Sequence, residues 1–319
     1  MSYNRVRTPK FYIDAVLLAR QLGYIQIENV HGKYYLNPAK TTDIDILENN
    51  QALISVYLSK RHFLNSITHC FILGHQLADD DMDVQGYIRD DNLEAGHSII
   101  SETAFSKNGW SKFTASAGTE LDANRFTLKI IGDAGDSTPI GDISIGWSYQ
   151  MPHSPDMELT QTFANESLKT VNTKGGVTLS NTGWNQPPMW GTRPAWRHGA
   201  DFVSYPARRS WSLKFSYLND ENSDNSGLMP QHYNEIMTPN SDNRGIFERT
   251  NVNNPDFNIK QDFLSKVYAG TNGFQLPFIF QPDSTVEEYA IARVNANSVT
   301  MNQVANNVYD ISMSITETF

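Results

Sequence analysis

Between Asn307 and Phe319 the chain reads Asn-Val-Tyr-Asp-Ile-Ser-Met-Ser-Ile-Thr-Glu-Thr-Phe, an alternation of apolar and polar side chains with almost no slack. In an extended strand successive side chains point to opposite faces, so Tyr309, Ile311, Met313 and Ile315 share one face and Asp310, Ser312, Ser314 and Thr316 the other. Ser210-Trp-Ser-Leu-Lys-Phe-Ser-Tyr-Leu218 repeats the pattern, with Trp211, Leu213, Phe215 and Tyr217 expected inward. Two such segments imply an antiparallel sheet with one packed face and one face toward water or a partner.

Composition supports this reading. A chain of 319 residues can bury two cores of ordinary size. A net charge of −10 argues against general nucleic-acid binding, which needs a basic surface to displace counterions. Only 19% of residues are charged, so neutral polar groups must wet much of the surface, and 29 asparagines supply many of them. Asn competes for local backbone hydrogen bonds and so favours turns over helix interiors. One cysteine, Cys70, rules out an intrachain disulfide framework and a multi-thiolate metal site. It lies in the apolar run Ser66-Ile-Thr-His-Cys-Phe-Ile-Leu-Gly74 and reads as a small buried hydrophobe. No leader and no apolar run of about 20 residues is visible, so a cytoplasmic origin without membrane insertion is expected.

Along the chain, residues 1–50 read as a polar arm that only a neighbour would order, followed by a short helix from Tyr12 to Leu22 stopped by Gly23. Residues 51–160 read as short strands: Leu53–Leu58, Ile67–Leu73, Gly86–Ile88, Trp110–Ala115, Arg125–Ile131 and Ile140–Met151, the last with Ile143, Ile145, Trp147 and Tyr149 inward. This spacing suggests a first, jelly-roll-like β-sandwich. Residues 161–207 form a connection, with three prolines and three tryptophans between Gly183 and Trp196. Residues 208–319 read as a second sandwich, interrupted by an Asn-rich excursion at 219–258. A short helix at Phe263–Val267 and strands at Leu276–Phe280 and Tyr289–Val294 precede the terminal strand. The fold class is therefore mainly β, two sandwiches with short helices only.

Few constellations carry chemistry. Asp79-Asp-Asp-Met-Asp83 offers oxygen ligands that calcium prefers, but the EF-hand pattern is absent and a solvated acidic loop is the plainer reading. His153-Ser-Pro-Asp156 resembles fragments of active sites, yet no nucleophile elbow, zinc helix or phosphate loop accompanies it. His62, His69 and His75 lie in one segment, the last two flanking an apolar strand. No catalytic, metal or cofactor residue is assigned. Trp184, Trp190 and Trp196 can stack on sugars, anchor an interface or cap a core. Arg193, Arg197, Arg208 and Arg209 make the same region locally basic in an acidic chain, which suits an acidic neighbouring subunit.

Ile54-Ser-Val-Tyr-Leu58, Asn65-Ser-Ile67, Phe71-Ile-Leu-Gly-His75 and Ile143-Ser-Ile-Gly-Trp147 resemble strands of galactose-binding-like (discoidin-type) jelly rolls, although Gly74-His75-Gln76-Leu77 carries Gln where Asn is usual there. Arg209–Leu218, Phe263-Leu264, Gly273–Asp283 and the strand ending in Glu317 are similar to tail and minor-tail structural proteins of tailed bacteriophages, and Tyr3–Asp14 looks like virion proteins. The resemblance implies a virion component that assembles as a homo-oligomeric ring or tube with other tail proteins, and it implies no enzyme activity. Alternatives are an adhesion module contacting host surface glycans through the tryptophan loop, or a capsid-surface decoration protein. A glycan hydrolase would need a carboxylate pair facing a groove, which sequence cannot display.

Overall fold

The computed structural model describes residues 6–28, 42–47, 49–58, 67–77, 82–89, 97–102, 110–114, 125–156, 160–164, 170–180, 189–190, 193–194, 208–219, 263–296, 298, 300–305 and 308–318. In chain order the first strands are β1 (Lys10–Asp14), β2 (Ile25–Glu28), β3 (Thr42–Asp45), β4 (Gln51–Leu58), β5 (His69–Leu73), β6 (Asp83–Arg89), β7 (His97–Glu102) and β8 (Trp110–Thr114), with helix α1 (Ala15–Gln21) between β1 and β2. The middle of the chain adds β9 (Arg125–Ile131), β10 (Ser137–Ile140), β11 (Asp142–Gln150), β12 (Thr160–Ala164), β13 (Thr170–Asn172), β14 (Thr178–Ser180), β15 (Met189–Trp190) and β16 (Arg193–Pro194). The remainder adds β17 (Arg208–Asn219), a π-helical turn at Leu264–Ala269, β18 (Phe278–Gln281), β19 (Ala290–Val294), β20 (Met301–Ala305) and β21 (Val308–Glu317).

The protein is mainly β, as its alternating sequence requires. Ten strands form one sheet in the order β12-β17-β21-β19-β18-β1-β11-β5-β8, with β20 also paired to β21. Five more form a sheet in the order β2-β4-β9-β6-β7, and three two-stranded ladders complete the set. Val84, Ile88, Phe126, Leu128 and Ile130 of the smaller sheet share one buried cluster with Cys70, Ile72, Phe113, Ile143 and Ile145 of the larger, as the layers of a β-sandwich do. The same cluster continues through Trp211, Leu213, Phe215, Ile311 and Ile315, and Phe263, which caps the π-helical turn, and Val267 within it join it. Trp147 ties this turn to β11, its indole N–H donating to the Lys266 carbonyl at 2.9 Å.

The expected boundary at 161–207 does not separate the sheets. The ten-stranded sheet takes β5, β8 and β11 from one side of it and β17 to β21 from the other, and β1 joins them. Phe11 lies opposite Tyr149 on β11 and Phe280 on β18. This corrects the expected helix from Tyr12: residues 10–14 are a strand, and α1 starts at Ala15 with Asp14 as its cap, the carboxylate accepting from Leu17 N–H at 2.9 Å. The arm is also held by its own chain from Val6 onward. Thr8 and Pro9 carbonyls accept from Ser284 and Met151. The expected run Ile140–Met151 divides at Gly141 into β10, which pairs with β3, and β11. The excursion at 220–258 lies outside the described residues.

The terminal strand keeps its predicted faces: Ile311, Met313 and Ile315 are buried, Ser312 is exposed, and Tyr309 is partly buried against the core. On β17 the alternation holds through Phe215 and then fails. Register slips between Phe215 and Leu218, so Leu218 turns inward and Tyr217, expected inside, is 78% exposed at φ +60°. Two carboxylates hold this bulge. Asp156 accepts from Ser216 N–H and Oγ at 3.3 and 2.6 Å, and Asp310 accepts from Tyr217 N–H at 3.1 Å. Such charge-assisted bonds offset the cost, about 1–2 kcal/mol, of a left-handed non-glycine residue.

A second, smaller cluster occupies the opposite face of the large sheet, where Tyr12, Phe71, Trp110, Ile279, Tyr289 and Ile291 pack together. Lys112 Nζ sits over the rings of Tyr12 and Tyr289, and Lys10 Nζ over Tyr12. His69 packs edge-on against Tyr12 and Phe71. Its Nε2 has no hydrogen-bond partner among the described residues. Burial, reinforced by Lys10 and Lys112, pushes the imidazole down to about 3, whereas burial raises the Asp14 carboxyl to about 6 against the hydrogen bond from Leu17 N–H.

The two shifts act oppositely on stability. A depressed histidine favours the folded state above its unfolded value near 6.5 and loses that contribution as pH falls toward 3. A raised carboxyl favours the folded state at low pH and loses that contribution as pH rises from 3.8 to about 6. Replacing His69 by Gln is therefore expected to recover about 2–3 kcal/mol relative to wild type between pH 6.5 and 4.5, at about 1.4 kcal/mol per unit. Urea titrations of both proteins at each pH measure it. Parallel pH profiles would remove His69 as the titrating group.

Candidate functional site

Two surfaces are built by the described residues in a way that serves binding. The first is β12, which with β8 at the other end bounds the large sheet among the described strands. Strand β12, Thr-Gln-Thr-Phe-Ala, pairs with β17 alone among the described strands, with Gln161 opposite Trp211 and Phe163 opposite Arg209. It carries no charge and no proline, the usual devices that keep an edge from pairing with another chain. Phe163 is 49% exposed.

The next elements extend this character. Strands β13 and β14 form a hairpin whose turn contains Gly175-Gly176, with Gly176 at φ +81° and Thr173 hydroxyl and amide both bonded to Val177. Val171 lies directly opposite Leu179, and both are exposed, at 61% and 57%, together with Val177. Apolar side chains facing water on a short ladder are the feature that a partner would bury.

The second surface is a groove of about 720 Å³ lined by Arg208, Arg293, Gln275, Asn295, Thr316 and Thr318, among others. The terminal strand places these side chains. Thr316 lies opposite Arg293 on β19 and opposite Ser210 on β17, and Arg208 is two residues from Ser210 on the same face. Glu317 borders the groove, but its carboxylate is engaged by Arg209: Nε donates to Oε2 at 3.1 Å, Nη2 to Oε1 at 2.9 Å and the backbone N–H to Oε2 at 3.1 Å. Arg209 also donates to Glu288 at 2.6 Å and to the Tyr289 carbonyl at 3.0 Å. The planar guanidinium suits this forked geometry and fixes the end of β21 to β17. A second recess of about 300 Å³ shares Gln275 and Arg293 and adds Arg20.

The other sequence candidates are placed as follows. Asp156 of His153-Ser-Pro-Asp156 holds the β17 bulge, and His153 packs near Phe215 with Nδ1 2.7 Å from the Ser154 carbonyl oxygen. His75 Nε2 lies 2.9 Å from Ser111 Oγ, a buried pair. Cys70 is buried, and burial raises its thiol, as expected for a structural cysteine. Of the acidic run, Met82 is buried and Asp83 opens β6, while Asp79, Asp80 and Asp81 lie outside the described residues. Among the described residues no group of three or more His, Cys, Asp or Glu side chains is arranged to hold a metal. Trp190 ends β15, paired with Arg193 of β16; Trp184, Trp196, His62 and Arg197 lie outside the described residues. Among the described residues no helix is long and apolar enough to cross a membrane.

Sequence reading missed the edge strand, because four small or polar residues and one Phe carry no strong period, and it missed Arg293 altogether. No protein-family model matches the chain, and no curated protein matches it either.

Proposed function

We propose that this protein is a structural component of a tailed-phage virion, of the tail or its tip, that works by assembling with copies of itself and with neighbouring tail proteins. The observation that supports the reading is the edge strand β12, paired with β17 alone among the described strands, uncharged in a chain of net charge −10 and carrying an exposed Phe163. An acidic protein meets its own copy with least repulsion through a neutral surface, and an unpaired strand edge supplies main-chain hydrogen bonds that are independent of side-chain fit. The exposed Val171, Val177 and Leu179 of the β13–β14 hairpin offer a partner further apolar area. The phage assignment itself rests on the sequence resemblance.

Sedimentation and electron microscopy of purified protein test the assembly, with quantification of the protein in particles testing the virion role. Wild type is expected to form rings or tubes. Phe163→Lys, which places a like charge at each repeated edge, is expected to shift it to monomer by at least tenfold in association constant with an unchanged melting temperature. A wild type that stays monomeric and is absent from particles overturns the reading.

A further inference from the structure

We propose that the bulge on β17 presents Tyr217 as the platform of a binding site for a neutral saccharide, with Asp310 and Asn302 beside it. The site is independent of the assembly proposed above. By alternation Tyr217 belongs with Trp211, Leu213 and Phe215, which are buried, and a tyrosine in a sheet core is ordinary. The fold instead slips the register, seats Leu218 and turns the phenol ring out of the core. The ring is left 78% exposed on a left-handed backbone that residues with a Cβ avoid. Asp156 braces this conformation at Ser216 and Asp310 braces it at Tyr217 itself. A bulge that re-aims one side chain at a cost in backbone strain, with its own bracing, is a device for presenting that side chain.

The neighbours of the ring select the ligand. Asp310 stands in the middle of three strands. Its carboxylate accepts from the Tyr217 N–H at 3.1 Å on the β17 side, and Asn302 of β20 lies directly opposite it on the other. Ser312, two residues on along the same face of β21, lies opposite Lys214. Asn302, Ser312 and Lys214 are exposed, and their side chains have no hydrogen-bond or ion-pair partner among the described residues. Oδ1 of Asp310 serves the bulge, which leaves Oδ2 to accept. A carboxylate oxygen, an amide, a hydroxyl and an ammonium group match the mixed donors and acceptors of vicinal sugar hydroxyls. The C–H face of a pyranose carries slight positive charge and stacks on the negative face of an aromatic ring. One acid and one base balance within the patch, and the chain's net charge of −10 repels anions, so a neutral ligand is favoured. A protein partner would want an apolar surround for its anchor. On β17, β20 and β21 the one other large apolar side chain exposed among the described residues is Val304.

The test is isothermal titration of the full chain at low and moderate salt. The probes are neutral oligosaccharides of glucose, galactose, mannose and N-acetylglucosamine, with glucuronic acid oligomers as the anionic comparison. At least one neutral oligosaccharide is expected to bind more tightly than the anionic oligomers, with an affinity that changes by less than about threefold with salt. Tyr217→Gly removes the ring and relieves the left-handed backbone. It is expected to lose about tenfold or more in affinity while melting at or above the wild-type temperature. Tyr217→Phe keeps the ring and is expected to bind within roughly threefold of wild type. Asn302→Ala, at an exposed position, is expected to weaken binding about fivefold with an unchanged melting temperature. No binding by any neutral oligosaccharide, tighter binding of the anionic oligomers, or wild-type affinity in Tyr217→Gly would each overturn the proposal. A Tyr217→Gly protein that binds sugar as wild type does but no longer self-associates would assign the ring to a protein interface instead. Phe163→Lys is expected to bind the sugar as wild type does, which keeps this result separate from that of the assembly test.

Discussion

Ile311→Asp is expected to yield no folded protein, whereas Ser312→Asp, one residue away, is expected to be soluble with a wild-type melting temperature. Ile311 is 1% exposed and lies opposite Phe215 on β17 and Met301 on β20. Removing it forfeits about 2–3 kcal/mol of apolar burial, and a carboxylate in its place adds a desolvation cost of several kcal/mol more. The sum rivals the whole stability of an ordinary domain, roughly 5–15 kcal/mol. Ser312 is exposed and lies opposite Lys214, so an aspartate there gains a cross-strand partner instead. Soluble yield, circular dichroism and thermal denaturation distinguish the two; equal behaviour would mean that the faces of the strand are misassigned.

Gly146→Ala is expected to be nearly as damaging, at 3 kcal/mol or more on the scale of overpacked cores. Gly146 lies in β11 between Asp14 on one side and His69 on the other. A methyl group there collides with the Ile13 carbonyl oxygen and comes within 2.7 Å of Ala15 N. Both are backbone atoms at the junction of β1 and α1, where Ile13 is buried and Asp14 caps the helix, so neither yields cheaply. Gly175→Ala provides the control, because a methyl group at that hairpin turn meets nothing within 4 Å. Urea midpoints of the two variants measure the contrast, and a Gly146→Ala protein as stable as the control would show that β1 moves freely against β11.

The sequence reading succeeded where apolar and small or polar side chains alternate in the sequence, whether the second face is wet, as at Ser312, or buried, as at Ser144. The faces of β21, the inward set Ile143, Ile145, Trp147 and Tyr149 on β11, and the bounds of β9 were legible because period-two contrast was present. It failed at β1 because residues 11–14 are buried on both sides, leaving no contrast to separate strand from helix. It failed at Tyr217 because nothing local announces a bulge held by Asp156, about 60 residues upstream. Of the arginine groove only Arg208 was noticed, since strand order, which decides its neighbours, is a property of the whole sheet.

The position of β1 also sets a timetable. Phe11 belongs to a strand whose two neighbours end at residues 150 and 281, so β1 cannot be paired on both sides until most of the chain has been synthesised. Pairings this far apart in sequence carry a large loop-closure cost and form slowly. Until β1 is seated, β11 and β18 each present an unpaired edge of their own. A nascent chain must therefore be shielded from its neighbours for longer than a protein of local contacts, and insertion of this one strand marks the moment at which only the outer edges of the sheet remain available for assembly.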